Sequence, residues 1–152
     1  MIKINVIVKD KTWLKYIKNP KTYFKRKIEK IQRDKFFKKS NYQFSLLLSE
    51  TKEIKSLNKK FRKKNRTTDI LSFPSQNKKE LKILLKSNLE IYLGDIIINF
   101  KKMNISSKKL FKRHLNILLI HGLVHLFGHN HKKENSYKKM NAIEKKFLKK
   151  LN

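Results

Sequence analysis

The chain has 152 residues, enough for one domain with its own core, and no cysteine, so disulfides and thiolate metal sites are excluded and a transition metal would have to be held by His, Asp or Glu. Forty basic residues against eleven acidic ones give a formal charge of +29, a field that draws polyanions, nucleic acid first among them. Lysine, asparagine and isoleucine are abundant, Ala142 is the only alanine, and the lysines are scattered rather than clustered, so the composition of an A/T-rich genome competes on level terms with a polyanionic partner as the source of that charge.

Ile2, Ile4, Val6 and Val8 alternate with Lys3, Asn5 and Ile7, which predicts a strand over 1–8. This stretch is too short and too polar for a secretory signal. No run approaches the ~20 apolar residues that span a bilayer, so the expectation is a soluble, cytoplasmic protein without a membrane partner. Tyr23, Phe24, Ile28, Ile31 and Phe36 predict a helix over 20–37, opened by Pro20. The uncharged run 42–48 reads as a buried strand. Ser49 is then expected to cap a helix reaching Phe61, with Ile54, Leu57 and Phe61 on one face. Residues 67–73 form another expected strand, ended by Pro74, and 75–88 reads as loop with some helix. The strand over 90–99 is interrupted by Gly94 and Asp95, which suggests a bulge or a close backbone approach. Asp95 needs partners there, and it is expected to anchor the sheet or a metal-ligand loop. A long helix is expected over 107–127, and its core run, Leu115 to Leu126, is apolar nearly all round except for two histidines and so should be buried. A last amphipathic helix, 135–151, carries Met140, Ile143, Phe147 and Leu151 as its inner stripe. With no repeat, linker or second unit, this is a single α+β domain over 1–152 with about four strands.

The chemistry concentrates in one segment, His121-Gly122-Leu123-Val124-His125-Leu126-Phe127-Gly128-His129-Asn130-His131. His121 and His125, four apart on a helix, project from one face. Gly128 can end the helix in a left-handed turn, and the returning chain brings His131 towards the pair. Three neutral imidazoles with a fourth position open are the ligand set of a catalytic zinc. Three ordinary histidines are the bland alternative, but two imidazoles on a buried face without a partner would be costly. The spacing is also that of a zinc-peptidase group, whose general-base glutamate follows the first histidine. Here that position is Gly122, so peptide hydrolysis lacks its base. His114 and His129 are expected to be packed or solvated rather than ligands.

The same segment resembles the His-Gly-x-Leu-His-Leu-x-Gly-Tyr-Asp-His signature of the YbeY family, bacterial metal-dependent endoribonucleases of ribosomal RNA maturation. Two further blocks fit that family in order: Leu57 to Arg62 followed by Thr68-Asp69-Ile70-Leu71-Ser72-Phe73-Pro74, and Leu93-Gly94-Asp95-Ile96-Ile97-Ile98. The resemblance implies a zincin-like α+β fold with a mixed sheet, one zinc ion on His121, His125 and His131, and cleavage of single-stranded RNA. It further implies action on rRNA, with 3′-end maturation of small-subunit (16S) rRNA and ribosome quality control. The partners it implies are the small subunit and its assembly factors. Arg62 matches the family's functional arginine, which engages the RNA phosphate. Read without the resemblance, Arg62 is a surface arginine in a basic stretch with Lys63, Lys64 and Arg66. Asn130 stands where the family usually has Asp, His129 where it often has Tyr, and Thr67 where it often has Pro; an uncharged residue at 130 would support a ligand imidazole less well. Two alternatives remain: a zinc hydrolase of another substrate class, and a non-catalytic zinc-containing rRNA-binding assembly factor.

Overall fold

The computed structural model describes residues 1–38, 40–87 and 89–151; Lys39, Asn88 and Asn152 lie outside the described residues, and with Asn88 the end of the stretch expected to be irregular. Eleven elements follow in order: β1 (Ile2–Val8), α1 (Trp13–Tyr16), α2 (Pro20–Ile31), β2 (Asn41–Ser49), α3 (Thr51–Arg62), β3 (Ile70–Pro74), α4 (Lys78–Leu84), β4 (Glu90–Asn99), a 3-10 turn (Phe100–Lys102), α5 (Lys108–Leu126) and α6 (Glu134–Leu151). The strands make one mixed sheet in the order β1-β2-β4-β3. β1, β2 and β4 are parallel, and β3 runs antiparallel on the edge beside β4.

The apolar patterns explain the layers. Successive side chains of a strand point to opposite faces. In β4, Ile96 and Ile98 join the main core with α2, α5 and α6, while Ile97 joins Ile54 of α3 and Leu71 in a small cluster on the other face. The C-terminal part of α5, from Leu118 to Leu126, is buried or half-buried on every side, as its apolar run predicts, whereas the first turns expose Leu110 and Ile117. Each fully buried apolar side chain contributes about 1.5–3 kcal/mol. The result is the expected α+β architecture, with the histidine helix laid against β3 and β4.

Several boundaries differ from the sequence expectation. α2 stops at Ile31 instead of running to Phe37, because the Asp34 carboxylate captures the Phe36 N–H at 3.0 Å and turns the chain. Ser49 is not the helix cap: it ends β2, completely buried, and its hydroxyl donates to Glu53 in the first turn of α3, while Glu50 holds the cap position. β3 starts at Ile70 rather than 67. α1 was not expected at all; its Trp13 is fully buried and donates through Nε1 to the Ser49 carbonyl. In the segment after Pro74, Asn77 and Glu80 form a reciprocal capping box that starts α4.

Asp34 also ties the turn after α2 to the last helix. It accepts from Lys146 at 2.6 Å and Lys150 at 2.7 Å, with its own side chain only 6% exposed. Burial alone would raise its pKa, but the two lysines and the Phe36 N–H outweigh this and hold the carboxyl well below its usual range. A carboxyl whose pKa is lowered by folding contributes stability above its unfolded value near 3.9, and the contribution is lost as pH falls through the folded value. Asp34→Asn is therefore expected to cost about 1–2 kcal/mol at pH 7. Urea midpoints of the two proteins should converge as the pH is lowered below about 4.

Candidate metal centre

α5 delivers two of the three histidines. His121 and His125 sit one turn apart, their Nε2 atoms 3.1 Å from each other. The helix ends as the sequence predicts. Gly128 takes φ +81°; its N–H bonds the His125 carbonyl at 2.9 Å, and the His129 N–H bonds the Val124 carbonyl at 3.3 Å, the paired bonds of a Schellman turn. That reversal brings His131 back, its ring 5.1 Å from that of His125 and 5.6 Å from that of His121. One ring nitrogen from each of the three falls within 4.8 Å of the others.

The second nitrogens decide how the rings are protonated. His125 Nδ1 lies 2.8 Å from the His129 carbonyl. A carbonyl oxygen only accepts, so Nδ1 carries the proton and Nε2 presents its lone pair. His121 Nδ1 lies 2.7 Å from the Glu144 carboxylate on α6, which places its proton likewise. Two Nε2 lone pairs then face each other at 3.1 Å with no proton between them when both rings are neutral. Such an approach is repulsive alone and is relieved by a cation between the nitrogens, so the donor set fits a metal ion of the borderline class that imidazole favours. Burial, reinforced by the neighbouring His121 and His131, pushes His125 down to about 4, so its lone pair is free at neutral pH.

These rings form one wall of a cleft of about 190 Å³ that Arg62, Thr68, Asp69, Ile70 and Ser72 complete. Arg62, the last residue of α3, reaches the cleft at the sheet edge: its guanidinium donates to the Ser72 carbonyl of β3 at 3.1 Å and lies 5.9 Å from the centre of the Phe73 ring. Three imidazoles and an arginine therefore share one small polar space, at whose edge the Asp69 carboxylate accepts from the Thr68 hydroxyl at 3.1 Å.

A family model described as endoribonuclease YbeY matches residues 7–152. A protein named endoribonuclease YbeY from Pelagibacter ubique is 42% identical over 144 residues, covering 92% of this chain and 90% of its own length. Another of that name, from Ehrlichia chaffeensis, is 31% identical over 154 residues, covering 99% and 93%. The chain belongs to the YbeY family. The solution structure of TM1509 from Thermotoga maritima, at 24% identity, matches with a TM-score of 0.57 over 99% of this chain and 89% of that one, which supports the fold.

Within this YbeY-family site, the remaining candidates divide. His114 is not at the cleft; its Nδ1 accepts from the Asn104 N–H at 3.1 Å. The His129 ring turns away to Phe36, with 5.6 Å between ring centres, and only its carbonyl serves the site. The Asn130 side chain accepts from the Lys132 N–H within its own turn, so it supports none of the three rings. Asp95, half-buried rather than enclosed, accepts from the Tyr92 hydroxyl of its own strand at 2.7 Å, and Tyr92 also meets Ser45 of β2 at 3.0 Å. Sequence reasoning missed Glu144. Its only signal was a rare acidic residue beside the inner stripe of a lysine-rich helix. A carboxylate behind a ligand imidazole fixes its tautomer and raises its basicity. Glu144→Gln is expected to weaken zinc affinity about 10–100-fold, read by competition with a chromophoric chelator.

Gly122 has a packing explanation. A Cβ there would lie 2.9 Å from two methyl carbons of Ile96 and 3.1 Å from one of Ile70. Glycine at this point lets the helix lie close on the sheet. Gly122→Ala should gain about 1 kcal/mol of helix propensity but lose about 1–3 kcal/mol to overpacking. Because the obstacles are side-chain tips, a modest net fall in melting temperature is expected.

Proposed function

We propose that this chain is a metal-dependent endoribonuclease, a single domain over 1–152, that cleaves single-stranded RNA in ribosomal RNA processing. Its place would be the cytoplasm, on the small ribosomal subunit with its assembly factors, maturing the 3′ end of 16S rRNA and serving ribosome quality control. One zinc ion would be held by His121, His125 and His131. The observation that carries the reading is the facing of three histidine nitrogens and the Arg62 guanidinium across one cleft, in a member of the YbeY family.

A divalent cation in such a site supplies positive charge that polarises a phosphodiester and acidifies water. The chain's own residues do the rest. Glu144 and the His129 carbonyl hold two imidazoles with their lone pairs forward. Ser72 holds one edge of the Arg62 guanidinium, leaving other N–H donors for a phosphate in the planar, bidentate geometry that arginine favours. Charge developing on that phosphate is met by donors already in place. The tight seat of Gly122 against Ile96 leaves no room for the glutamate a zinc peptidase would place there. A closed structural zinc site would need a fourth protein ligand, and the cluster among the described residues holds three.

The test is cleavage of a single-stranded RNA carrying the small-subunit rRNA 3′ end, beside its duplex form, before and after chelation and zinc re-addition. Cleavage of the single strand alone, lost with chelation and restored by zinc, supports the reading. Tight binding without cleavage in any state would favour the assembly-factor alternative.

A further inference from the structure

A second concavity of about 180 Å³ adjoins the histidine cleft, bounded by Asn58, Arg62, Lys64, Arg66, Thr67 and Thr68. Arg62 and Thr68 line both spaces and stand between them. Half of the residues around this second space are cationic and none is acidic. Among the described residues, Arg62, Lys64 and Arg66 enter no ion pair. Like charges gathered around a hollow without a counter-ion repel one another, and an anion from outside relieves them.

The loop that carries these cations is clamped at both ends by buried amides. Lys63 ends α3 in the left-handed conformation, φ 54°, and the Lys64 N–H returns to the Asn58 carbonyl at 3.3 Å. Asn58, 3% exposed, donates from Nδ2 to the Arg66 carbonyl at 2.6 Å. Asn99 of β4, completely buried, donates to the Thr67 hydroxyl at 3.0 Å and the Thr68 carbonyl at 3.1 Å. Burying amides costs free energy unless every bond is made, and here they hold a surface loop in one shape. The cations are thereby preorganised, which lowers the entropy lost when an anion binds.

We infer that this pocket is a phosphate subsite, which takes the phosphodiester neighbouring the one at the histidines on the same RNA strand. The inference rests on the ribonuclease reading for the identity of the polymer. Arg62 stands between the two phosphates, Lys64 and Arg66 bind the outer one, and the strand runs along the end of α3. Longer substrates therefore gain over a dinucleotide, which has a single phosphodiester.

The test compares wild type, the double variant Lys64→Gln/Arg66→Gln, and a control double variant Lys145→Gln/Lys149→Gln that removes the same charge from exposed positions on α6. Affinity for a ten-nucleotide single-stranded RNA is measured in chelator across a salt series. The subsite variant should bind about tenfold more weakly, with a salt slope lower by about one to two, while the control changes by less than about twofold. In zinc, the ratio of kcat/KM for a trinucleotide over a dinucleotide should collapse towards one in the subsite variant only. Equal losses in both variants, unchanged affinity in the subsite variant, or no RNA binding by wild type would each overturn the subsite. Selective loss of binding in the subsite variant, with no cleavage by wild type under any metal, would sink the ribonuclease reading and leave the subsite standing.

Discussion

His125→Ala is expected to abolish RNA cleavage, by about 10³-fold or more, and to leave a variant that does not retain zinc through gel filtration. His125 is the central ring of the cluster: its Nε2 lies 3.1 Å from that of His121, and its ring centre is 4.5 Å and 5.1 Å from the other two. Its removal would leave two donors of the cluster among the described residues, fewer than the three protein ligands a catalytic zinc would need. Loss of one preorganised donor at a developing charge already costs about 10²–10³ in rate, and loss of the ion removes more. The half-buried ring is small, so the variant should keep its circular dichroism spectrum, and melting curves taken in chelator will show whether the fold is retained. Cleavage equal to wild type in the identically purified variant would mean a contaminating nuclease. Zinc retention equal to wild type would move the metal away from this cluster.

Gly94→Ala is expected to lower stability by about 3–5 kcal/mol, a large part of the 5–15 kcal/mol typical of a domain. Gly94 has φ +128°, and a Cβ there would lie 2.1 Å from the Phe73 carbonyl oxygen and 2.9 Å from the Ser75 nitrogen. Both obstacles are backbone, so no rotamer change relieves the overlap and β3 must move off β4. This is also where the β2–β4 register shifts, Gln43 pairing with Tyr92 but Phe44 with Gly94. The Ser75 N–H bond to the Leu93 carbonyl at 2.9 Å would be lost with it. β3 carries Ser72, which holds Arg62, so the variant should lose RNA cleavage beyond its loss of folded protein. Urea unfolding at pH 7 reads the first effect. A fall of less than about 1 kcal/mol would show that β3 separates from β4 without cost.

The contrast with Gly122 shows what a sequence can and cannot tell about a glycine. Each is a glycine inside a regular element, where a side chain is ordinarily expected. Only the neighbours distinguish them: backbone oxygen and nitrogen at Gly94, flexible isoleucine methyls at Gly122. Boundaries show the same division. The apolar run of α5 and the turn at Gly128 were legible because periodicity and a left-handed glycine are local properties. The early end of α2 was not, because Asp34 is committed to two lysines more than a hundred residues away.

By itself, the sequence determined the α+β class, the helix that carries His121 and His125, the turn that returns His131, and membership of a family whose other two motif blocks hold Arg62 and Gly94. These are matters of spacing, and spacing along a chain is set by helix and turn geometry within a few residues. Tertiary structure alone decided that Glu144, rather than the residue at position 130, stands behind the His121 imidazole, and that the His129 backbone rather than its ring bonds the His125 imidazole. It also decided that Arg62 shares the histidine cleft and that Asn58 and Asn99 shape the basic pocket beside it. Glu144 with His121, Arg62 with the histidines and Asn99 with the Thr67–Thr68 loop each join elements well separated in the chain, and such contacts depend on how helices seat on the sheet, which leaves no periodicity in the residues themselves.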